Sequence, residues 1–308
     1  MDKLKAKDLI SLNLLSIEEM ELILNETEKL KKGPRNTEYL KGKTLAMIFE
    51  KSSTRTRVSF ETGMYQLGGM AMFFSPKDLQ MGRGETIHDT AKVLSRYVDG
   101  IMARTFSYQT VLDLAKYATV PVINGLTDYD HPCQILADLF TVYEKKGKLK
   151  GLTLTYIGDG NNVLHSLIQG CVKVGMNIFY ASPAGYTPLQ SVIDESLEVA
   201  QTTGSQIKYF ESAAEAVTAT DVIYTDVWVS MGQEGDESKK LKDLKDFQLN
   251  AELMKKAKKD VLVMHCLPAH RGQEITDDVI DGPNSIVFDE AENRLHAQKA
   301  VMKLLMSK

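Results

Sequence analysis

Cysteine is scarce in this chain of 308 residues: Cys133, Cys171 and Cys266 are the only three, widely spaced and without a CxxC pair. That count and spacing speak against a disulfide framework and a structural zinc site. Basic charge is not in excess either. Asp and Glu number 41 against 37 Lys and Arg, for a formal net charge of −4, so no global positive field would draw in nucleic acid. No apolar run approaches the roughly 20 residues that span a bilayer, so no membrane partner is expected. The opening stretch MDKLKAKDLISLNLL lacks a long apolar core followed by small residues, and no secretory leader is expected. What is present is an ordinary globular balance, 43% apolar and 25% charged, which excludes disorder and collagen. The expectation is a reduced, cytoplasmic enzyme, with two domains at roughly 100–200 residues each.

Short apolar runs alternate with helical patterns almost throughout. Ser16 and Glu19 form a capping box ahead of Ile17, Met20, Ile23, Leu24 and Leu30 on one helical face, and Gly33-Pro34 stops that helix. LAMIFE (45–50), MAMFF (70–74), GIMA (100–103) and VPVIN (120–124) read as strands, and 131–147 as a long helix. The polar stretch KKGKLKG (145–151) marks a boundary. Beyond it LTLTYI (152–157), NIFYA (177–181), QIKYF (206–210), VIYTDV (222–227), VLVMHC (261–266) and SIVF (285–288) read as a second strand series. The pattern predicts an α/β protein of two doubly wound parallel-sheet domains with helices on both faces. The final stretch EAENRLHAQKAVMKLLM is an amphipathic helix. KKLKDLKD and KKAKKD read as solvated helix faces.

In open parallel sheets ligands bind beyond the C-terminal strand ends, so the residues after each strand carry the functional reading. Lys51-Ser52-Ser53-Thr54-Arg55-Thr56-Arg57 follows the first strand and opens a helix. Free backbone N–H groups, hydroxyls and planar guanidinium forks there form a phosphate cradle without a glycine-rich loop. Gly42-Lys43-Thr44 is no P-loop: position 37 is Thr, and the triplet precedes a strand. Arg104 follows the third strand. His131 and Gln134, three apart around Pro132 and Cys133, share one face at a helix mouth.

In the second half, Gly158-Asp159-Gly160-Asn161-Asn162-Val163 half-matches a dinucleotide fingerprint, but Val163 occupies the third glycine position. Asn161 and Asn162 instead suit a helix cap and hydrogen bonds to a small carboxylate. Asp226 and Ser230-Met231-Gly232 place an acid and a hydroxyl in one loop, as a cationic substrate would require. His265-Cys266-Leu267-Pro268 begins at another strand end. His265, Cys266 and His270 are too sparse for a metal site, and Cys266 equally suits a small buried hydrophobe.

Taken in order, Ser53-Thr54-Arg55-Thr56-Arg57, Gln80, Arg104, His131-Pro132-Cys133-Gln134, Asn162, Asp226 with Ser230-Met231-Gly232, His265-Cys266-Leu267-Pro268 and Arg294 resemble the ornithine carbamoyltransferases of the aspartate/ornithine carbamoyltransferase family over nearly the whole chain. The resemblance implies attack by the δ-amine of L-ornithine on carbamoyl phosphate, giving citrulline and phosphate, without metal or cofactor. It implies a carbamoyl phosphate-binding domain over 1–147, joined by a C-terminal helix at 289–308, and an ornithine-binding domain over 148–288, with a cleft between them. Ser53, Thr54, Arg55, Thr56, Gln80, Arg104, His131, Gln134, Cys266, Leu267 and Arg294 would hold carbamoyl phosphate. Among them Arg104 and His131, with Thr56, would polarise its carbonyl oxygen and Gln134 would hold its NH₂ group. Asn162, Asp226, Ser230 and Met231 would hold ornithine. Arg104, His131, Gln134, Asp226 and Cys266 are the expected catalytic set. A homotrimer, or a multiple of trimers, with active sites shared between subunits is the implied assembly.

The chemistry poses one energetic problem. A Lys-like amine titrates near ~10.4, so making it neutral at pH 7 costs roughly 4–5 kcal/mol. Desolvation or a proton acceptor must help, and Cys266, Asp226 and the substrate phosphate are the candidates. Carbamoylation of putrescine or another amine is the alternative. Aspartate would need a cationic pocket where this chain has Asp226, and putrescine would leave Asn162 and Ser230 without a carboxylate or ammonium to bind.

Overall fold

A computed structural model describes residues 3–230, 232, 235 and 237–307. The chain forms two compact units, Met1–Phe140 with Glu292–Lys308, and Thr141–Ala291.

The first unit is built on a four-stranded parallel sheet, β1 (Thr44–Phe49), β2 (Met70–Phe74), β3 (Gly100–Arg104) and β4 (Val122–Leu126), in the order β2-β1-β3-β4. Helix α1 (Ile17–Lys32) opens with the Ser16–Glu19 capping box and ends at Gly33. On one face of the sheet Ala46, Ile48, Ile101, Ala103 and Val122 pack with Ala91, Val111 and Leu114. The last three belong to α3 (Ile87–Leu94) and α4 (Tyr108–Tyr117). Helix α2 (Thr54–Gln66) lies so close to the last helix, α12 (Val287–Met306), that a Cβ on Gly63 would sit 2.7 Å from the Met302 methyl. The end of the chain is thus part of the first unit's core. Helix α5 (Pro132–Lys146) starts in this unit.

The second unit has a five-stranded parallel sheet: β5 (Thr153–Ile157), β6 (Asn177–Ala181), β7 (Ile207–Phe210), β8 (Val222–Thr225) and β9 (Leu262–His265), in the order β7-β6-β5-β8-β9. Ile157, Ala181, Ile223 and Val263 pack one face against Ala213, Ala216, Leu253, Val279 and Ile280. Those come from the short helices α8 (Ala213–Ala216), α10 (Ala251–Met254) and α11 (Asp277–Ile280). The alternate residues Tyr156 and Tyr224 stack at 6.1 Å between ring centroids. Helices α6 (Asn162–Lys173), α7 (Gln190–Thr203) and α9 (Glu237–Leu244) complete the unit.

Two sequence expectations need correction. SIVF (285–288) is not a strand: Ser285 makes a single bridge to Val263, and Val287 already begins α12. A run of only three apolar residues, Ile286 to Phe288, suits a buried helix start as well as a strand. Nor is KKLKDLKD wholly solvated. Lys240 is buried and pairs with Asp159. No described helix is long and apolar enough to cross a membrane.

Candidate active site

Strand order reverses between β1 and β3 in the first sheet and between β5 and β8 in the second. The crevice at such a reversal is where doubly wound sheets bind ligands. The segments following these four strands carry most of the residues singled out in the sequence.

In the first unit, Ser53 caps α2. Its Oγ accepts from the Thr56 backbone N–H and donates to Thr56 Oγ1, both at 3.2 Å. Thr54 is exposed, Arg55 and Ser53 are half-buried and Thr56 is buried. Arg57 points elsewhere, onto the Phe73 ring and Glu61. From α12, Arg294 donates through Nη2 to Thr56 Oγ1 at 3.1 Å and through Nη1 to Gln134 Oε1. Gln134 in turn donates to Asp138 Oδ1 at 2.8 Å. Arg104, at the end of β3, and His131, just before α5, are both buried. Burial, and after it the charges of Arg294, Arg104 and Arg55, hold the His131 imidazole well below its usual range. A neutral imidazole in the field of three guanidiniums, next to two helix N-termini, is an environment that favours an anion. Cys133 behind it donates to the Asn124 carbonyl, and burial pushes its thiol up to about 12, which leaves it inert. Gln80 is exposed in the loop after β2, where its carbonyl closes a turn with Arg83 and Glu85. Among the described residues it makes no hydrogen bond to Ser53, Thr56, Arg104, His131, Gln134 or Arg294.

In the second unit, Gly160 lies so tightly against the chain at Tyr186–Pro188 that a Cβ would fall within 2.4 Å of Thr187 C. Asn161 then caps α6: its Oδ1 accepts from the N–H groups of Val163 and Leu164 at 2.9 and 3.3 Å. Its Nδ2 donates to Asp226 Oδ2 at 2.7 Å. Cys266 Sγ donates to the other oxygen of Asp226 at 3.0 Å. Asn162, the first residue of α6, is half-exposed at the same mouth. Asp159 is buried against Lys240, 2.5 Å away, yet burial still outweighs that partner and raises its carboxyl. Ser230 is half-buried and makes no hydrogen bond to Asp226 among the described residues; Met231 lies outside them.

Leu267 adopts a left-handed backbone with φ of 57°, and its N–H donates to His265 Nδ1 at 2.9 Å. That leaves the proton on His265 Nε2, which faces Glu274 Oε1 at 3.0 Å. Glu290 accepts from the His265 backbone N–H and from Tyr224 Oη. These contacts fix the turn that presents Cys266. Asp226, His265 and Cys266 each offer a ligand atom within 4.8 Å of the others. The Nδ1 of His265 is already engaged by Leu267 and its Nε2 by Glu274, so the donors present do not form a ready metal site. Glu274, Glu290, Lys240 and the Asn161–Asp226 bond were not anticipated from the sequence. Only the cap signal of Asn161 hinted at one of them.

Comparison with known proteins covers both units. The family model for the aspartate/ornithine carbamoyltransferase carbamoyl-P binding domain matches residues 7–144. The model for the Asp/Orn binding domain of the same family matches residues 150–305. Ornithine carbamoyltransferase of Oceanobacillus iheyensis is 56% identical, over 99% of this chain and 96% of its own length. That of Thermococcus kodakarensis is 56% identical, over 98% and 97%. The solved ornithine carbamoyltransferase of Pyrococcus furiosus superposes with a TM-score of 0.94 at 54% identity, covering 97% of this chain and 96% of that one.

Proposed function

This chain belongs to the aspartate/ornithine carbamoyltransferase family, and on that premise we propose that it transfers the carbamoyl group of carbamoyl phosphate to the δ-amine of L-ornithine. The observation that carries the reading is the buried, neutral His131 beside Arg55, Arg104 and Arg294. Carbamoyl phosphate offers what that site asks for, a phosphate joined to a polar carbonyl. Residues Ser53 to Thr56 hold the phosphate, with Arg294 as a further cation. Arg104 and His131 face the carbonyl oxygen and stabilise the negative charge that develops there. Gln134 receives the carbamoyl NH₂.

In the second unit, Asp226 receives the α-ammonium of ornithine and Asn162 its α-carboxylate, with Ser230 and Met231 completing that set. Cys266 and Leu267 line the reacting end. The neutral δ-amine attacks the carbonyl carbon, and a C–N bond forms as the oxygen takes up charge. The bond from carbon to the phosphate oxygen then breaks, and phosphate leaves with its electron pair. One amine proton must go as well. Cys266 acts as a donor to Asp226, and Asp226 is engaged with the α-ammonium, so the departing phosphate is the acceptor in this reading. No metal or cofactor takes part.

The first unit is then the carbamoyl phosphate-binding domain and the second the ornithine-binding domain. A homotrimer fits the first unit's surface: β2 is an edge strand with Met70 and Met72 exposed, near Val58 and Tyr65 exposed on α2. An edge strand with apolar side chains is a surface that needs a partner. Gln80, on the loop following β2, would reach a neighbouring subunit's site in that assembly. The cytoplasm is the compartment proposed, in keeping with the three free thiols.

Mixing the protein with carbamoyl phosphate and ornithine tests the reading. Citrulline and phosphate should appear in equal amounts. Phosphate release without citrulline would refute it.

A further inference from the structure

We propose that Asn161 is a positioning residue of the acceptor site, whose amide, locked by the α6 cap, aims the Asp226 carboxylate at the α-ammonium. The inference rests on the carbamoyl-transfer reading above.

The orientation of the Asn161 amide is not free. Its Oδ1 faces two backbone donors, the N–H groups of Val163 and Leu164. Turning the amide over would set NH₂ against those donors. The Nδ2 group is therefore committed to the opposite side, where it meets Asp226 Oδ2 at 2.7 Å. Cys266 holds Oδ1 of the same carboxylate. With both oxygens held, Asp226 has one orientation, set by the start of α6.

The chemistry of these donors matters as much as their geometry. Two acids lie together at this mouth. Asp159 is matched by a cation, Lys240. Among the described residues no cation pairs with Asp226; it is held by an amide and a thiol, both neutral donors. An amide orients a carboxylate without cancelling its charge, so the full charge stays available to a ligand ammonium. A lysine in place of Asn161 would orient Asp226 and also neutralise it.

Three variants separate positioning from capping. Asn161→Ser keeps a capping oxygen, since Ser and Asn cap about equally well, but has no amide donor. Asn161→Asp keeps the cap and the size, and sets a second carboxylate against Asp226, a pair that resists double ionisation. Asn161→Ala loses cap and donor together. For Asn161→Ser we expect a melting temperature near that of the wild type, and for Asn161→Asp one that approaches it only at acidic pH, where the carboxylate pair can share a proton. Their kcat/KM for ornithine should fall about 10- to 100-fold, the range for losing a hydrogen bond to a charged group. The KM for carbamoyl phosphate should stay unchanged. In Asn161→Asp the acidic limb of the kcat/KM profile should also move to higher pH, as the new carboxylate pair retains a proton. If Asn161→Ser and Asn161→Asp match the wild type in ornithine kinetics and pH profile, while Asn161→Ala alone is impaired, Asn161 is only a helix cap and the inference fails. If the wild type itself makes no citrulline, the carbamoyl-transfer reading fails first.

Discussion

Arg294 on the last helix donates to the side-chain oxygen of Gln134, 160 residues earlier in the chain. The second nitrogen of the same guanidinium reaches Thr56. One planar fork thus ties the starts of α2 and α5 to the end of the chain, and it does so where the anion is proposed to bind. Arg294→Lys keeps the charge but cannot span both partners. We expect the KM for carbamoyl phosphate to rise by at least tenfold, corresponding to about 1.5–3 kcal/mol for a charged hydrogen bond. The KM for ornithine, measured at saturating carbamoyl phosphate, should change far less.

Most strands were legible because an apolar run of four to six residues between turn signals has few other homes in an α/β chain. MAMFF and NIFYA coincide with β2 and β6 to the residue. SIVF, with only Ile286, Val287 and Phe288 apolar, opens a helix instead, because a short apolar run does not reveal whether the sheet or a helix claims it. At the candidate site, the order of motifs could name Thr56, Gln134 and Arg294, but not that a single guanidinium joins them. The Lys240–Asp159 pair was hidden for a related reason. Its partners are 81 residues apart, and a lysine in a charged run carries no local sign of burial.

His131 has a depressed imidazole, and its linkage to stability has a definite sign. In the unfolded chain the group titrates near ~6.5; in the folded protein burial and three guanidiniums hold it lower. The unfolded state therefore takes up the proton first as pH falls. Stability from this source is complete above about pH 6.5 and is lost below it. Calorimetric melting of His131→Gln should show a smaller drop in melting temperature than the wild type when pH is lowered from about 7 to about 5. The variant should lose most of its activity at every pH.

Asp130 works in the opposite direction. Burial raises its carboxyl to about 7, despite hydrogen bonds from Ser11, Asn124 and Thr127. The unfolded group ionises near ~3.9. The folded state keeps the proton longer, so stability declines as pH rises between these values and then levels off. Asp130→Asn removes this ionisation. Its melting temperature relative to the wild type should climb between about pH 5 and about pH 8. A constant difference across that range would mean that Asp130 does not titrate there.

Gly160→Ala tests the mouth of α6. The added Cβ meets backbone atoms of Tyr186, Thr187 and Pro188 at 2.4–2.6 Å, and backbone cannot step aside as a flexible side chain can. Overpacking of this kind costs about 1–3 kcal/mol. Chemical denaturation should show the second unit weakened, and KM for ornithine should rise while the phosphate site in the first unit keeps its affinity.

An acceptor site built for the two α-groups of ornithine can be probed by comparing kcat/KM for ornithine, putrescine and aspartate at saturating carbamoyl phosphate. A site that hydrogen-bonds a substrate group rejects analogues lacking it by up to ~10⁴-fold. Ornithine should be carbamoylated at least a thousandfold more efficiently than putrescine, about 4 kcal/mol at 1.4 kcal/mol per decade, with aspartate inert. Putrescine turned over as efficiently as ornithine, or carbamoylation of aspartate, would mean that the acceptor site does not select for those groups.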